Sequence, residues 1–437
     1  MSFASVLQMP NAIKEKVRTL FERGFFHIFG ANVINKFLGF FTNVAIVWFL
    51  SKDDYGVFGY ANSIYSMTLL ATGFGLIAGM FQFCLEERGD DERKSLRWYS
   101  LTRGLAVDVV ITALIIAVGL YVPLPIEEAN RYLALFGPLL LLDYVFQYCS
   151  TVLRIKLENQ RFSTLQLFNA GVYCVFACVG AHTAGIVGTI GGRYVAYAAS
   201  LVLAFVLLKG SGVAVTRGDK LPLALRVSLW KYSVSTQVSA VLNNLTYLLD
   251  VFLVGLFLAS ASSVASYKVA TIIPEGMAFV PGSVIMFVLP YFVKHAHDKV
   301  WFQGKVSLLL KVSVVFYLVH SVLLVLLAPV IISVLWGDGY MDALTAFRLL
   351  SVSFFFNAMR TTCTNLLCSL RAIASNLFVS ALSLVLNVIL CVLLIPEYGI
   401  VGAAFVPTSV SVVAAVTAFI ALRRSISKLE GGVGNGS

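Results

Sequence analysis

Apolar stretches long enough to cross a lipid bilayer recur along this sequence and restrict the chain to a membrane-spanning fold. A helix needs about 20 mostly apolar residues to cross the bilayer core. Apolar residues make up 59% of the chain and charged residues 12%, whereas soluble domains carry roughly 45–50% and 25%. Backbone groups in lipid must form hydrogen bonds within their own segment, so we predict an all-α polytopic membrane protein. About twelve transmembrane helices are predicted, at residues 25–50, 57–83, 99–122, 132–153, 162–182, 187–208, 228–257, 265–291, 306–335, 343–368, 375–395 and 399–422.

Basic residues are concentrated in alternate gaps between these spans, and the formal net charge is +10. Of the 32 Lys and Arg residues, 22 lie at the termini or in gaps on one side, two (Lys52 and Arg131) lie on the opposite side, and eight lie within spans. Basic residues collect on the cytoplasmic side of membrane proteins. We therefore predict a multi-pass protein of the cell (inner) membrane with both termini in the cytoplasm. No nucleic-acid-binding motif accompanies the basic residues, so we expect no nucleic acid partner.

Residues 1–24 are predicted to form a cytoplasmic amphipathic segment. Ile13, Val17, Leu20 and Phe21 would share the apolar face of a short helix that lies on the inner membrane surface. The first apolar stretch is of full spanning length and no small-residue cleavage site follows it, so a cleavable signal peptide is not expected.

Cysteine and histidine residues do not indicate a metal site. None of the seven cysteines brackets an extracellular loop, so no disulfide is expected. Cys174, Cys178 and His182 recur at helical spacing, but a zinc site needs further ligands and none is nearby in the sequence. The chain also lacks a P-loop sequence and a sizeable external loop. We therefore predict no metal, no cofactor and no enzyme activity.

The spans divide into two halves of six. The longest gap, residues 209–227, is predicted to be a cytoplasmic linker between an N-terminal six-helix bundle at 25–208 and a C-terminal one at 228–422, with a cytoplasmic tail at 423–437. The halves also share short stretches: Phe49-Leu50 and Phe58-Gly-Tyr-Ala61 recur as Phe257-Leu258 and Tyr267-Lys-Val-Ala270, at offsets of 208 and 209 residues. An even number of spans per half predicts parallel repeats with a substrate site between them near the membrane midplane.

Proline residues predict a bend in the eighth span. Pro274, Pro281 and Pro290 all lie in this span, and an interior proline removes one backbone hydrogen bond and kinks the helix. A moving element and a static kink that shapes packing explain the pattern equally well.

Four stretches of the sequence resemble motifs of a known family. They are Leu50-Ser-Lys-Asp-Asp-Tyr-Gly-Val-Phe-Gly-Tyr-Ala61; Asp250-Val-Phe-Leu-Val-Gly255; Leu327-Ala-Pro-Val-Ile-Ile with Gly337-Asp-Gly-Tyr340; and Ile395-Pro-Glu-Tyr-Gly-Ile-Val-Gly-Ala-Ala404. In this order they resemble the multidrug/oligosaccharidyl-lipid/polysaccharide (MOP) exporter superfamily, which has a MATE-like fold. The similarity is closest to its polysaccharide-transporter branch, the Wzx-type flippases of O-antigen and capsule repeat units. It implies two parallel six-helix bundles around a central cavity, alternating access, and a lipid-diphosphate-linked oligosaccharide as cargo.

Charged and amide side chains within the spans are the candidate substrate-binding residues. A charge at the centre of a membrane helix costs roughly 2.5–3.5 kcal/mol on insertion scales, so such residues usually face a polar interior. Eight basic and four acidic residues lie within spans, and this positive excess suits an anionic diphosphate, which guanidinium groups bind bidentately. The deeper cations and the two amide stripes are predicted to hold the diphosphate and glycan: Lys36, Arg193, Arg360, Asn32, Asn35, Asn243 and Asn244.

The four acidic residues within spans are the ion-coupling candidates: Asp143, Glu275, Asp108 and Asp250. Asp143 and Glu275 are predicted at mid-span, where burial of a carboxyl group favours its protonated form, so that it can exchange a proton or a sodium ion. A structural salt bridge to a deep cation such as Lys36 or Arg360 explains these two carboxylates equally well.

Three functions are compatible with this pattern. The first is a flippase that moves an O-antigen, lipopolysaccharide, capsule or exopolysaccharide precursor across the cell membrane, with a proton or sodium ion, membrane lipid and other polysaccharide-assembly proteins as partners. The second is a cation-coupled multidrug exporter of the same fold, which would favour an acidic, aromatic-lined cavity. The third is a membrane glycosyltransferase or polymerase, which the short external loops disfavour.

Overall fold

A computed structural model describes residues 25–212, 216–296, 298–370 and 372–429. The predicted amphipathic segment 1–24 and residues 430–437 of the predicted tail lie outside the described residues. Within the described ranges, every regular element is a helix: α1 (Phe25–Phe49), α2 (Lys52–Leu69), a 3₁₀ turn (Thr72–Gly75), α3 (Leu76–Leu85), α4 (Asp90–Tyr121), α5 (Glu128–Phe136), α6 (Leu139–Ile155), α7 (Asn159–Gly210), α8 (Leu223–Leu258), α9 (Ala261–Gly276), α10 (Phe279–Lys294), α11 (Lys299–Trp336), a second 3₁₀ turn (Asp338–Ala343), α12 (Leu344–Ser369) and α13 (Ile373–Ser427).

Seven helical segments of the described chain are long and apolar enough to cross a membrane. Two of them, Asn159–Gly210 and Ala374–Ser427, contain 52 and 54 residues, more than twice what one crossing needs. The first reverses direction at Ala184 and Gly185 and the second at Gly399, so each is a pair of antiparallel spans. The segments are Gly30–Phe49, Lys52–Leu85, Asp90–Tyr121, Glu128–Ile155, Asn159–Gly210, Lys299–Trp336 and Ala374–Ser427.

The two reversals have nearly the same backbone conformation. Gly185 has φ 59° and ψ −135°, and Gly399 has φ 57° and ψ −136°. Only glycine adopts this region at low cost, because a side chain there would clash with the backbone. Gly180 lies directly against Gly188 across the first reversal. The predicted fifth and sixth spans, and the eleventh and twelfth, are therefore joined without an intervening loop.

Three further predicted spans are interrupted within the membrane. The second is broken between α2 and α3, where Gly73 and Gly75 have positive φ. The fourth is broken between Phe136 and Leu139 and the eighth between Gly276 and Phe279. The eighth-span break follows Pro274, and the bend there stays a prediction. The other predicted spans coincide with single helices to within a few residues, apart from α4, α8 and α11, which begin five to nine residues before the apolar runs.

Residue contacts divide the chain into two compact units. Unit 1 comprises the described residues of Met1–Phe49, Ala71–Ala117 and Ala134–Val238, and unit 2 comprises those of Leu50–Leu70, Val118–Leu133 and Ser239–Ser437. In unit 1, α1 and α6 both pack against α7. In unit 2, α12 packs against α11 and α13, and α2 packs against α9. The division into bundles at 25–208 and 228–422 stays a prediction.

Each unit has its own apolar core. In unit 1, Leu76 and Met80 of α3 are fully buried with Leu153 and Leu165. In unit 2, the buried core residues come from α10 to α13: Phe292, Phe302, Val306, Cys363, Leu366, Leu367, Val379, Ala414, Ala418, Leu422 and Ile426.

Candidate functional site

Asp143 is the centre of a polar cluster in unit 1. It lies on α6, and the Tyr197 hydroxyl donates to its Oδ1 at 2.7 Å. Gln147, one helical turn further along α6, also forms a side-chain hydrogen bond with Asp143, and the charge of Arg193 interacts with it electrostatically. Arg193 and Tyr197 are four residues apart and so share one face of α7. Two predicted site residues, Asp143 and Arg193, are therefore neighbours.

Arg193 is surrounded by aromatic groups. Its Nη2 donates to the hydroxyl of Tyr173 at 3.1 Å, and its guanidinium carbon lies 4.9 Å from the Tyr173 ring centre and 5.9 Å from that of Phe136. Arginine stacks readily on aromatic faces, and this contact orients the guanidinium plane without removing its charge. Arg193 is thus a half-buried cation held in a fixed position.

Asp108 is fully buried on α4 and forms a hydrogen bond with the backbone at the break in the second span. Its Oδ1 accepts a hydrogen bond from the backbone N–H of Gly73 at 2.7 Å, at the start of the 3₁₀ turn. Its Oδ2 is buried with no hydrogen-bond partner among the described residues. Asp108 also interacts electrostatically with Asp143. This carboxylate therefore has a clear structural contact, and its second oxygen is available for a proton or an ion.

The predicted amide and lysine stripe lies on α1. Asn32 and Lys36 are exposed and Asn35 is half-buried, with the Asn35 Oδ1 buried and unpartnered among the described residues. The i, i+3, i+4 spacing places the three side chains on one helix face. In unit 1, α1 packs against α7, the helix that carries Arg193.

Asp250 is the centre of a second polar cluster, in unit 2. Asn387 Nδ2 of α13 donates to Asp250 Oδ1 at 2.9 Å, and the Tyr267 side chain forms a hydrogen bond with Asp250. The Cys391 thiol, one turn beyond Asn387, is 4.0 Å from the same oxygen. All four residues are buried. A buried carboxylate held by an amide and a hydroxyl group is suited to bind a proton or a small cation.

Glu275 lies at the end of α9, next to Pro274. It interacts electrostatically with Asp250 and with Lys268, and its side chain is exposed. The Lys268 ammonium group lies 5.9 Å and 5.7 Å from the ring centres of Tyr55 and Phe58. Two predicted carboxylates, Asp250 and Glu275, therefore belong to the same unit-2 cluster.

The other predicted residues of unit 2 have local partners. Arg360 Nε and Nη2 donate to Asn357 Oδ1 at 3.1 and 2.9 Å, so a neutral amide orients the guanidinium. Asn244 is exposed and donates to the Ala240 carbonyl of its own helix. The Asn243 side chain lies outside the described residues. The proposed substrate and ion roles of all eleven residues stay predictions.

Unit 2 contains a polar contact at the predicted outer end of α2. Lys52 Nζ lies 2.9 Å from both carboxylate oxygens of Asp342 and 2.8 Å from the Gly339 carbonyl. Ser266 of α9 donates to Asp342 Oδ2 at 2.7 Å. Burial in this loop raises the pKa of Tyr340 to about 12, so Tyr340 stays a neutral phenol beside Lys52. We call Lys52, Asp342 and Ser266 the outer contact.

Several contact residues were not predicted from the sequence. Tyr197 could have been found, because it lies one helical turn from Arg193, a residue already singled out. Asn387 contacts Asp250 across 137 positions, and Asp342 contacts Ser266 and Lys52 across 76 and 290 positions. No spacing rule in one sequence connects such distant residues. Among the described residues, no group of three or more His, Cys, Asp and Glu side chains could hold a metal ion.

One protein family matches the chain. The family described as polysaccharide biosynthesis protein has a model that matches residues 46–345, which is well over half of the 437 residues. No curated protein matches the chain.

Solved transporter structures have the same fold. The lipid II flippase MurJ in an inward closed conformation matches with a TM-score of 0.74 and 14% identity, over 92% of this chain and 89% of its own. An inward-facing multidrug resistance MATE family transporter of the MOP superfamily matches with 0.73 and 14% identity, over 91% and 96%. A MOP superfamily transporter from Pyrococcus furiosus matches with 0.61 and 13%, over 93% and 95%. The predicted all-α polytopic fold of the MOP superfamily is confirmed.

Proposed function

The chain belongs to the family of polysaccharide biosynthesis proteins, and we propose that it is a flippase for a lipid-diphosphate-linked oligosaccharide. The cargo is the repeat unit of an O-antigen, capsule or exopolysaccharide, and alternating access carries it across the cytoplasmic membrane. The family match over residues 46–345 is the main evidence for this proposal. The shared fold with a lipid II flippase supports it, because that relative acts on a lipid-linked substrate.

The proposed orientation follows from the distribution of basic residues. Both termini lie in the cytoplasm, so the linker 209–227 is cytoplasmic and the reversals at Gly185 and Gly399 lie on the outer side. Two bundles, 25–208 and 228–422, then alternate access to a central site.

Fixed cations within the membrane suit the diphosphate. Tyr173 orients Arg193 and Asn357 orients Arg360. A guanidinium held in this way can bind phosphate oxygens bidentately without rearranging first. Lys36 adds an exposed ammonium group on α1. Asn32, Asn35, Asn243 and Asn244 would then contact the glycan, which needs hydrogen-bond partners in place of water.

The two carboxylate clusters suit ion coupling. Asp143 with Tyr197 in unit 1 and Asp250 with Asn387 in unit 2 each hold a carboxyl group between neutral hydrogen-bond donors. Protonation or sodium binding changes the charge of such a cluster, and a charge change in a low-dielectric site shifts a conformational equilibrium. We assign the return step of the transport cycle to one of these carboxylates.

A complementation assay tests the cargo assignment. In a strain lacking the gene, Arg193→Gln and Arg360→Gln should each reduce surface polysaccharide strongly, while Arg193→Lys and Arg360→Lys should restore part of it. Arg103→Gln is the matched control, because Arg103 is an exposed arginine within a predicted span. Normal surface polysaccharide in both Gln variants, with protein levels equal to wild type, would exclude the cationic site.

Multidrug export is the second candidate, since a MATE transporter matches with a TM-score of 0.73. It predicts that deletion of the gene lowers resistance to cationic drugs and leaves surface polysaccharide unchanged. The flippase proposal predicts the reverse pattern, so one deletion strain with both readouts separates the two.

A further inference from the structure

A groove runs along the surface of unit 2 between α11 and the end of α13. It has a volume of about 940 Å³, near the upper end of the roughly 300–1,000 Å³ typical of ligand sites. On α11 it extends from Gln303 to Val315, and on α13 from Phe419 to Ser427. None of these residues belongs to the clusters around Asp143 or Asp250.

The floor of the groove is apolar and firmly packed. Val306, Leu422 and Ile426 line it, and all three are buried members of the unit-2 core. Above them, Val314 and Val315 of α11 and Phe419 of α13 are exposed. The groove is therefore a preformed apolar slot, with a floor that the protein core holds in place.

Three cations line the same groove. Lys311, Arg423 and Arg424 are all exposed, and the Arg423 guanidinium carbon lies 5.1 Å from the ring centre of Phe419. Among the described residues, no carboxylate lines the groove. Uncompensated positive charge beside an apolar slot matches a ligand that has an anionic head and a hydrocarbon chain.

The position of the groove in the membrane fits the same ligand. With the termini in the cytoplasm, α11 starts on the inner side and α13 ends there. The stretch from Gln303 to Val315 is about 18 Å long at 1.5 Å per residue, which is comparable to one leaflet of a core about 30 Å thick. The polar groups Gln303 and Ser427 thus lie at the headgroup level, and the exposed valines lie at the depth of acyl chains.

We propose that this groove binds one anionic phospholipid of the inner leaflet. Arg423 and Arg424 hold the headgroup phosphate, the long side chain of Lys311 extends towards it from a deeper position, and one acyl chain lies along Val314, Val315 and Phe419. Basic pockets between membrane helices on the cytoplasmic side are a general means of holding acidic lipids. Such a lipid bridges α11 and α13, and its binding is independent of the proposed cargo.

Native mass spectrometry of the purified, delipidated full chain tests the proposal. The protein is titrated in detergent with phosphatidylglycerol, or with phosphatidylcholine of the same acyl chains. We expect phosphatidylglycerol to bind at least about tenfold more tightly, since each Lys or Arg near an anionic lipid surface contributes appreciably. The triple variant Lys311→Gln/Arg423→Gln/Arg424→Gln should lose this preference.

A matched control removes the same charge elsewhere. Lys156→Gln/Lys209→Gln/Lys220→Gln changes three exposed lysines of unit 1 and should keep the preference of the wild type. If the control loses the preference as much as the groove variant does, or if neither loses it, the site is wrong.

A second variant tests the acyl chain. Val315→Trp fills the slot from an exposed position and should reduce the binding of both lipids while folding is preserved. Unchanged lipid binding in this variant would overturn the acyl-chain assignment, and full displacement of phosphatidylglycerol by inorganic phosphate would show an anion site instead. The assay contains no glycan, so its outcome does not depend on the flippase proposal.

Discussion

Reversing the charge of Lys52 should open the predicted outer side of the protein. Lys52 lies at the first turn of α2 and contacts Asp342 and the Gly339 carbonyl at 2.8–2.9 Å. The α2 and α9 backbones also meet here, since Gly56 lies directly against the Ala261 carbonyl. The outer contact therefore joins α2 to α9, and in the proposed alternating-access cycle these two helices would separate on the outer side.

The size of the effect follows from the exposure of the pair. The side chains of Lys52 and Asp342 are 26% and 48% exposed, and a partly exposed ion pair contributes roughly 0.2–1 kcal/mol. In Lys52→Glu this stabilisation is lost, and two carboxylates a few ångströms apart repel each other by about 1 kcal/mol or more in a water-like medium. A total of about 2 kcal/mol changes an equilibrium by a factor of roughly 30.

Thiol labelling from outside the cell measures this opening. Ser266 is fully buried and contacts Asp342, so a Ser266→Cys thiol reacts with a membrane-impermeant reagent only when the outer contact separates. Cys178 and Cys368 are the native cysteines of the described chain that are not buried, and both are replaced by Ser in the background. We expect Lys52→Glu to speed labelling by about 10- to 30-fold and Lys52→Glu/Asp342→Lys to restore the slow rate.

Arg131→Glu is the control, because Arg131 is the other basic residue predicted on the outer side and is exposed. It makes the same change in charge and should leave the labelling rate unchanged. Equal labelling of the wild type and Lys52→Glu, or faster labelling in the Arg131 variant, would refute the reasoning.

Four other substitutions give separate predictions. Gly399→Ala should lower the free energy of unfolding by about 1–3 kcal/mol, because alanine is strained at φ 57° and ψ −136°; thermal denaturation in detergent measures it. Gly104→Ala should destabilise the protein by about 1–3 kcal/mol, since its Cβ would lie 1.7 Å from the Tyr144 hydroxyl oxygen. Asp143→Asn should abolish transport with little change in melting temperature, whereas Tyr197→Phe should cost about 1 kcal/mol of stability for one lost hydrogen bond.

Gly304→Ala is the control for both glycine substitutions. Gly304 is helical and exposed, and no atom lies within 4 Å of the position that an alanine Cβ would take there, so alanine should be neutral or slightly stabilising. A melting temperature for Gly399→Ala or Gly104→Ala equal to that of Gly304→Ala would contradict the steric argument. Full transport activity in Asp143→Asn would remove Asp143 from the ion-coupling candidates.

The spans could be predicted from the sequence because their cause is local. Lipid requires long apolar segments, and each predicted span coincides with helix. The reversals at Gly185 and Gly399 appear in the sequence as short gaps without a basic residue. By contrast, the grouping of α2 with unit 2 depends on Gly56 against Ala261 and Gly255 against Tyr60. Apolar patterns record which face is buried but not which distant helix covers it.

The site was predicted only as a set of separate charges. Burial of a charge in a membrane is costly, and this rule alone selected Asp143, Arg193 and Asp250. It gave no partners: Tyr173 holds Arg193, and Asn387 holds Asp250 across 137 positions. A neutral Tyr or Asn costs much less free energy within a span than a charged residue does, so the sequence alone does not single it out. Its role is recognised only when its neighbour is known.

The tight reversals at Gly185 and Gly399 have a practical consequence for labelling the protein. On the predicted outer side, the two limbs of Asn159–Gly210 and of Ala374–Ser427 have no connecting loop that could accommodate an inserted tag. A peptide epitope placed beside Gly185 or Gly399 would force the limbs apart, whereas the connection between Tyr121 and Glu128 can accept extra length. Insertions that report on either pair of limbs are therefore best placed at the opposite, predicted cytoplasmic ends.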